Sequence, residues 1–385
     1  MSTGFEHTEW MSEEHRMFED AVSKFYADTI TPNSEKWYKH GQIDRDFWNK
    51  AGEAGILGAS ISELYGGSGA PRSFDAVSIY QYGRTGDSSW GFSIQNYVMH
   101  YLAIYGTDEQ KEKWLPGLSS GDLVAALAMT EPGTGSDVQA IKTNAVADGN
   151  QYRINGSKTF ITNGQQANLI CLACKTDKDA GHKGVSLIMV ETDDLEGFRR
   201  GQPLQKIGMK GNDTSELFFD DCKVPRFNLL GTEEGKGFYQ LMEQLPWERL
   251  SIGVIALGAI DFAIEQTVAY TQDRKAFGKR IIDFQNTRFK LAEAKTKAEV
   301  LRSFIADCVA RLDAGTLTAS DASMAKWWGT QVQNEVVDEC LQLFGGYGFM
   351  SEYPIGRLYC DSRVQKIYGG TNEVMKELIA RTLDT

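Results

Sequence analysis

Between about residues 121 and 235 the chain carries five short runs, LVAALAMTE, QYRINGSKTFITNG, ANLICLAC, GVSLIMVE and SELFFDD. Their β-branched and aromatic content, and the turn clusters DGN, NG and DKDAGHKG that separate them, predict strands. Parallel neighbours need a connection of roughly a dozen residues, usually a helix, and the spacing leaves no room for crossover helices. The expectation is a mostly antiparallel sheet, folded as a barrel or a sandwich.

On both sides of this stretch the apolar period is helical. Up to about residue 120 it recurs in EHRMFEDAVSKFYADTI and DSSWGFSIQNYVMHYLAIYG, with YGGSGAPRS (65–73) as a loop. Thr107 and Asp108 are N-cap candidates ahead of Glu109 and Glu112. After about residue 236, Leu301, Phe304, Ile305, Cys308, Val309 and Leu312 share one helix face, and so do Val332, Val336, Val337, Cys340, Leu341 and Phe344. Only 8 prolines in 385 residues suits long helices. The predicted class is α+β: an N-terminal helical domain over 1–120, a middle antiparallel β-barrel or sandwich over 121–235, and a C-terminal helical bundle over 236–385.

Charge removes several function classes. Forty basic against fifty-two acidic residues leave a net charge of −12, with no block of Lys and Arg. Nucleic acid is therefore not an expected partner, because phosphate neutralisation needs a positive surface. A small anion can still be held by a few local cations or a helix N-terminus. No apolar run is as long as the ~20 residues that span a bilayer, so no integral membrane segment is expected. The acidic amino end does not resemble a secretory leader, and the expected location is cytoplasmic. The histidines are scattered singly, and the Cys171–Cys174 pair sits inside an apolar run. Buried strand thiols are expected there, with no metal centre and no His-based triad.

Four motifs carry the candidate chemistry. Met129 to Asp137, MTEPGTGSD, is a Gly-rich turn after a strand: either an ordinary tight loop, or backbone N–H groups and hydroxyls brought close to a polar ligand. Phe160 and Thr162 in KTFITNG lie two apart, on one side of a strand, where they could stack on and hydrogen-bond a planar ring. The alternative is a strand edge entering an Asn-Gly turn. Arg274-Lys275-Ala276-Phe277-Gly278-Lys279-Arg280, followed by Gln285, is either a solvated helix end or a local diphosphate site. The paired glycines of QLFGGYGF and IYGGTNE are either helix C-caps or places where a ligand approaches the backbone.

Taken together and in this order, the segments AMTEPGTGSD, NGSKTFITNG, DTSELFFDDCKVP, LPWERL, RKAFGK, LFGGYGFMSEYPI and IYGGTNEVMKELIAR resemble the acyl-CoA dehydrogenase family, and its long-chain branch most. The resemblance implies oxidation of an acyl-CoA to a trans-2-enoyl-CoA with non-covalent FAD as hydride acceptor. It implies that Met129, Thr130, Ser136, Phe160 and Thr162 lie along the flavin, with Ser136 also near CoA. Arg274, Phe277 and Gln285 resemble adenine-nucleotide contacts reaching to a neighbouring subunit. Gln342 and Gly346 resemble further dinucleotide contacts, and Thr371 and Glu373 resemble residues closing over the cofactor. Electron-transferring flavoprotein as acceptor and a homotetramer are further implications.

Many relatives place the catalytic Glu directly before Gly-Thr in the last motif, where this chain has Gly369. The long-chain and isovaleryl branches carry it in a pattern like LPxERL, which makes Glu248 the expected base. Pro246 is expected to kink or restart the helix there. Arg249 resembles the CoA-side contact, Gly370 is grouped with it as substrate-binding, and the Gly369 N–H is expected to stabilise the enolate oxygen. An acyl-CoA oxidase, a branched short-chain dehydrogenase and a helical scaffold without flavin are the rivals. A bulky Trp247 beside the base is expected to shorten or reshape the pocket.

Overall fold

The computed structural model describes residues 4–5 and 7–383. Six helices come first: α1 (Glu13–Thr29), α2 (Ser34–His40), α3 (Asp46–Glu53), α4 (Arg72–Gly83), α5 (Phe92–Tyr105) and α6 (Asp108–Ser120). Thr107 caps α6 as expected, its hydroxyl accepting from the Gln110 N–H while the Gln110 side chain returns to the Thr107 N–H.

Seven strands follow, β1 (Ala125–Ala128), β2 (Asn144–Asp148), β3 (Gln151–Thr162), β4 (Leu169–Lys175), β5 (Val185–Glu191), β6 (Phe198–Arg200) and β7 (Thr214–Pro225). They form one sheet in the order β1-β4-β2-β3-β7-β6, with β5 on the other edge of β4. The pairs β2–β3, β3–β7, β4–β5 and β6–β7 are antiparallel, but β1 and β2 both run parallel to β4. The sheet is mostly antiparallel, as expected, and these two pairs are its parallel part. A parallel pair needs a long crossover and not specifically a helix; the β2–β3 hairpin supplies it between β1 and β4.

β4 is apolar up to its last residue, Lys175, because both of its faces are covered. Leu169, Cys171 and Ala173 join the core shared with the helices, while Ile170, Leu172 and Cys174 join a core enclosed by the sheet. Both cysteines are fully buried strand residues, and burial pushes both thiols upward in pKa.

The C-terminal part comprises α7 (Gly237–Asp273), the hairpin β8 (Lys275–Ala276) and β9 (Lys279–Arg280), then α8 (Gln285–Asp313), α9 (Ala319–Phe344), α10 (Pro354–Ser362) and α11 (Asn372–Ala380). α7 is the central helix, packed on α4 on one side and on α9 on another. Its length and apolar composition would suffice to cross a membrane, which reading for unbroken runs missed. Of its most apolar 18-residue stretch, 67% is buried inside the protein, as in a core helix. α7 also runs unbroken through Pro246, so the expected restart does not occur.

Candidate active site

All three parts of the chain meet around one cavity of about 230 Å³. The helical side supplies Gly91, Ile94 and Tyr97 from around α5, with Glu248, Ile252, Ile255 and Ala259 along α7. The sheet side supplies Leu127, Met129, Thr130, Phe160 and Thr162. Tyr368 and Gly369 close it beside α7, and Gln333, Asp361 and Gln365 form a polar stretch of wall.

Glu248 is 3% exposed and lies in this wall. The Tyr101 hydroxyl of α5 donates to its Oε1 at 2.8 Å. Burial pushes the carboxyl up to about 7, against the opposing pull of the Tyr101 hydrogen bond and of the Arg249 charge. Arg249 is itself 7% exposed, burial lowers its pKa, and its Nε has no partner among the described residues. An exposed Glu248–Arg249 ion pair is therefore not what the helix builds.

Trp247 points away from the base's cavity. Its indole is 1% exposed and donates to Asn96 Oδ1 at 2.8 Å within the helical core. The expectation that it shortens the pocket is corrected, because successive residues on a helix face different directions.

Phe160 and Thr162 both line the cavity, and β3 also runs into the Asn-Gly turn of the alternative reading. β3 slips register against β7 between Lys158 and Ile161, which puts Phe160 at φ 59 and presents its ring to the cavity. Asn163, at φ 63, then opens the turn and donates to Gly91 O and Ala125 O. The loop 129–131 is pinned to β3 by a buried pair that the sequence reading passed over. Lys158, fully buried, donates to Met129 O and Glu131 Oε1, each at 2.8 Å. Glu131 also accepts from the Lys142 and Thr143 N–H groups.

Gly369 and Gly370 sit at φ 64 and 92, backbone that favours glycine. A Cβ on Gly369 would stand 2.4 Å from Ile252 Cδ1 of α7, so a side chain there must turn that end methyl aside and hold a strained positive φ. Thr371 caps α11, its hydroxyl accepting from the Val374 N–H.

The cavity thus gathers Met129, Thr130, Phe160, Thr162, Glu248 and Gly369. Arg249, Gly370 and Thr371 lie against its edge in sequence, and Ser136 and Glu373 are exposed nearby in the chain but outside the lining. Arg274, Gln342 and Gly346 line a separate surface groove with Tyr347, whose ring lies 5.6 Å from the Arg274 guanidinium carbon. Phe277 is 95% exposed at the tip of the β8–β9 hairpin, and Gln285 begins α8 in the open. The RKAFGKR segment is this hairpin, not the solvated end of a helix: Arg280 pairs with Asp283 at 2.8 Å, and the turn residues Phe277 and Gly278 both have positive φ.

A planar ring with hydrogen-bonding edges fits the cavity. Phe160 is 68% exposed although it faces inward, and the Gln333 amide and Gln365 Oε1 are buried in the wall without protein partners among the described residues.

Comparison with known proteins agrees with this geometry. Acyl-CoA dehydrogenase N-terminal, middle and C-terminal domains match residues 12–122, 126–222 and 235–383. The mouse long-chain specific acyl-CoA dehydrogenase, a mitochondrial protein, is 46% identical over 375 residues, covering 97% of this chain and 87% of that one. The crystal structure of an acyl-CoA dehydrogenase from Geobacillus kaustophilus superposes with a TM-score of 0.95 at 47% identity, covering 98% of this chain and 100% of that one. A glutaryl-CoA dehydrogenase from Mycobacterium smegmatis, solved in complex with FADH2, superposes with a TM-score of 0.91 at 28% identity, covering 97% and 95%. The chain belongs to the acyl-CoA dehydrogenase family, whose members bind FAD.

Proposed function

We propose that this cavity oxidises a medium- to long-chain acyl-CoA to the trans-2-enoyl-CoA, with Glu248 as the α-proton acceptor. When bound, FAD supplies the hydride acceptor. Met129, Thr130, Ser136, Phe160 and Thr162 would lie along its flavin, with Ser136 also near CoA and Thr371 and Glu373 closing over the cofactor.

The carrying observation is the buried Glu248, held by Tyr101 in the cavity wall with its carboxyl raised to about 7. The α-hydrogen of a thioester is weakly acidic. A base of raised pKa, shielded from water, accepts such a proton near neutral pH. Tyr101 fixes which oxygen points into the cavity. The Gly369 N–H would stabilise the thioester oxygen as charge builds on it, and Arg249 and Gly370 would lie toward CoA. The α7 wall supports the chain-length reading: it runs from Glu248 through Ile252 and Ile255 to Ala259, about 16 Å of mostly apolar helix.

The groove of Arg274, Gln342 and Gly346 shares no lining residue with the cavity, which suits the adenosine half of FAD. We assign that half to this groove, with Phe277 and Gln285, offered by a second copy in a homotetramer. Electron-transferring flavoprotein is the proposed acceptor.

An anaerobic titration with acyl-CoAs of graded length, followed by flavin absorbance, tests the reading. Bleaching by medium and long chains is expected, and Glu248→Gln should keep its flavin while losing roughly a thousandfold or more in turnover. Bleaching confined to short branched substrates overturns the chain length; near-normal turnover of Glu248→Gln overturns the base.

A further inference from the structure

A lysine lies buried directly beneath the Gly369–Gly370 turn. Lys326 of α9 is 0% exposed, yet it sits on a face otherwise lined by Ala322, Ala325 and Gly329. Its ammonium donates to Gly370 O at 2.7 Å and to Asn372 Oδ1 at 3.0 Å. Asn372 is in turn tied to the Thr330 hydroxyl, one helical turn further along α9, at 3.1 Å. Among the described residues no carboxylate comes within ion-pair distance of Lys326. Burial and the neighbouring Arg249 charge bring its pKa down to about 7, with Glu373 opposing.

A buried, unpaired ammonium is costly, so what it holds matters. Here it grips the one carbonyl between the two glycines and the cap of α11. Both glycines have positive φ and no side chain to lock them, and such backbone is loose unless something external fixes it. Gly369 lines the same cavity as Glu248.

We propose that Lys326 is a positioning residue for the reaction: by clamping Gly370 O from below, it fixes the direction of the Gly369 N–H toward the thioester oxygen. The inference rests on the assignment of Glu248 and the Gly369 amide above. It predicts that Lys326 acts on enolate formation and not on ligand binding, because the clamp faces the turn and not the acyl channel. A misaimed donor loses most of its effect on a developing oxyanion.

The test uses FAD-loaded enzyme and a 3-thiaacyl-CoA, whose acidic α-proton passes to the base without hydride transfer, leaving an enolate that gives a long-wavelength absorbance band. A thioether analogue lacking the carbonyl measures binding alone. Lys326→Met should bind the thioether within about threefold of wild type, while the fraction of 3-thiaacyl-CoA ionised at pH 7 falls roughly tenfold or more. Ionisation equal to wild type overturns the proposal, and so does an equal loss with both ligands, which marks a merely structural lysine. If Lys326→Met does not fold, Lys326→Gln is read by the same criteria, since the shorter amide keeps a donor but cannot reach both acceptors. Glu248→Gln run alongside separates the two readings: if it still ionises the analogue, the base assignment fails whatever Lys326 does.

Discussion

A carboxylate only 3% exposed is a costly base, and that cost sets its pH behaviour. Glu248 rises from an ordinary value of 4.5 to about 7 in the folded protein. Its proton-accepting form therefore accumulates as pH rises through about 7, and kcat/KM of the wild type should climb along an acid limb near that value. Tyr101 favours the charged form, so Tyr101→Phe should move the limb alkaline by about one unit, read from a pH–rate profile. Stability runs the other way. The folded protein prefers the protonated carboxyl, so ionisation costs nothing below about 4.5, increasingly more up to 7, and about 3 kcal/mol beyond it. Glu248→Gln should then raise the thermal midpoint at pH 8 and leave it near wild type at pH 4.5; an equal shift at both would contradict the linkage. Only part of this was legible in the sequence. Glu248 could be picked out through the LPWERL resemblance, and nothing in spacing separates it from a surface Glu. Tyr101 lies among other aromatics of α5 and gives no signal, because what distinguishes it is a contact across 147 positions. Lys326 did leave a trace, the one charge in the stretch ASMAKWWGT, but a sequence does not show which helix face will be buried.

At the scale of elements, α7 does two jobs through its small residues. Gly258 meets α4 so closely that a Cβ would stand 2.3 Å from Tyr80 O, and Gly83 returns the contact against Ile255 O at 2.5 Å. On the other side a Cβ on Gly253 would lie 2.9 Å from Ala325 O of α9. These obstacles are backbone, not flexible side-chain ends, so an added side chain must push helices apart. Gly258→Val should cost about 1–3 kcal/mol and lower the thermal midpoint, while widening the α4–α7 seam that bounds the cavity. Unchanged melting by calorimetry would refute that close crossing. The helices α8 and α9 were readable because their apolar period survives burial on one face. The parallel partners of β4 were not, since a strand covered on both faces loses its alternation and with it any clue to its neighbours.

For the whole molecule, the decisive fact is distance between two half-sites. The cavity residues Thr130, Phe160 and Thr162 belong to one opening, whereas Arg274, Gln342 and Gly346 belong to another, with Phe277 standing 95% exposed beyond it. An exposed phenylalanine held at φ 50 is strained backbone carrying an uncovered apolar ring, which a lone chain has no reason to stabilise. In the proposed assembly, a second copy lays the hairpin over the adenosine end of its neighbour's cofactor and so covers this ring. Phe277→Ala, which touches nothing in the catalytic cavity, should then lower FAD content on purification and raise the apparent dissociation constant for FAD. Once saturated with flavin, its turnover should stay close to wild type, because the base, its tyrosine and the glycine turn are untouched. A variant that binds FAD as tightly as wild type would refute the role of the hairpin. One that is fully loaded yet inactive would mean that Phe277 acts on the chemistry, which the separation of the two openings does not allow.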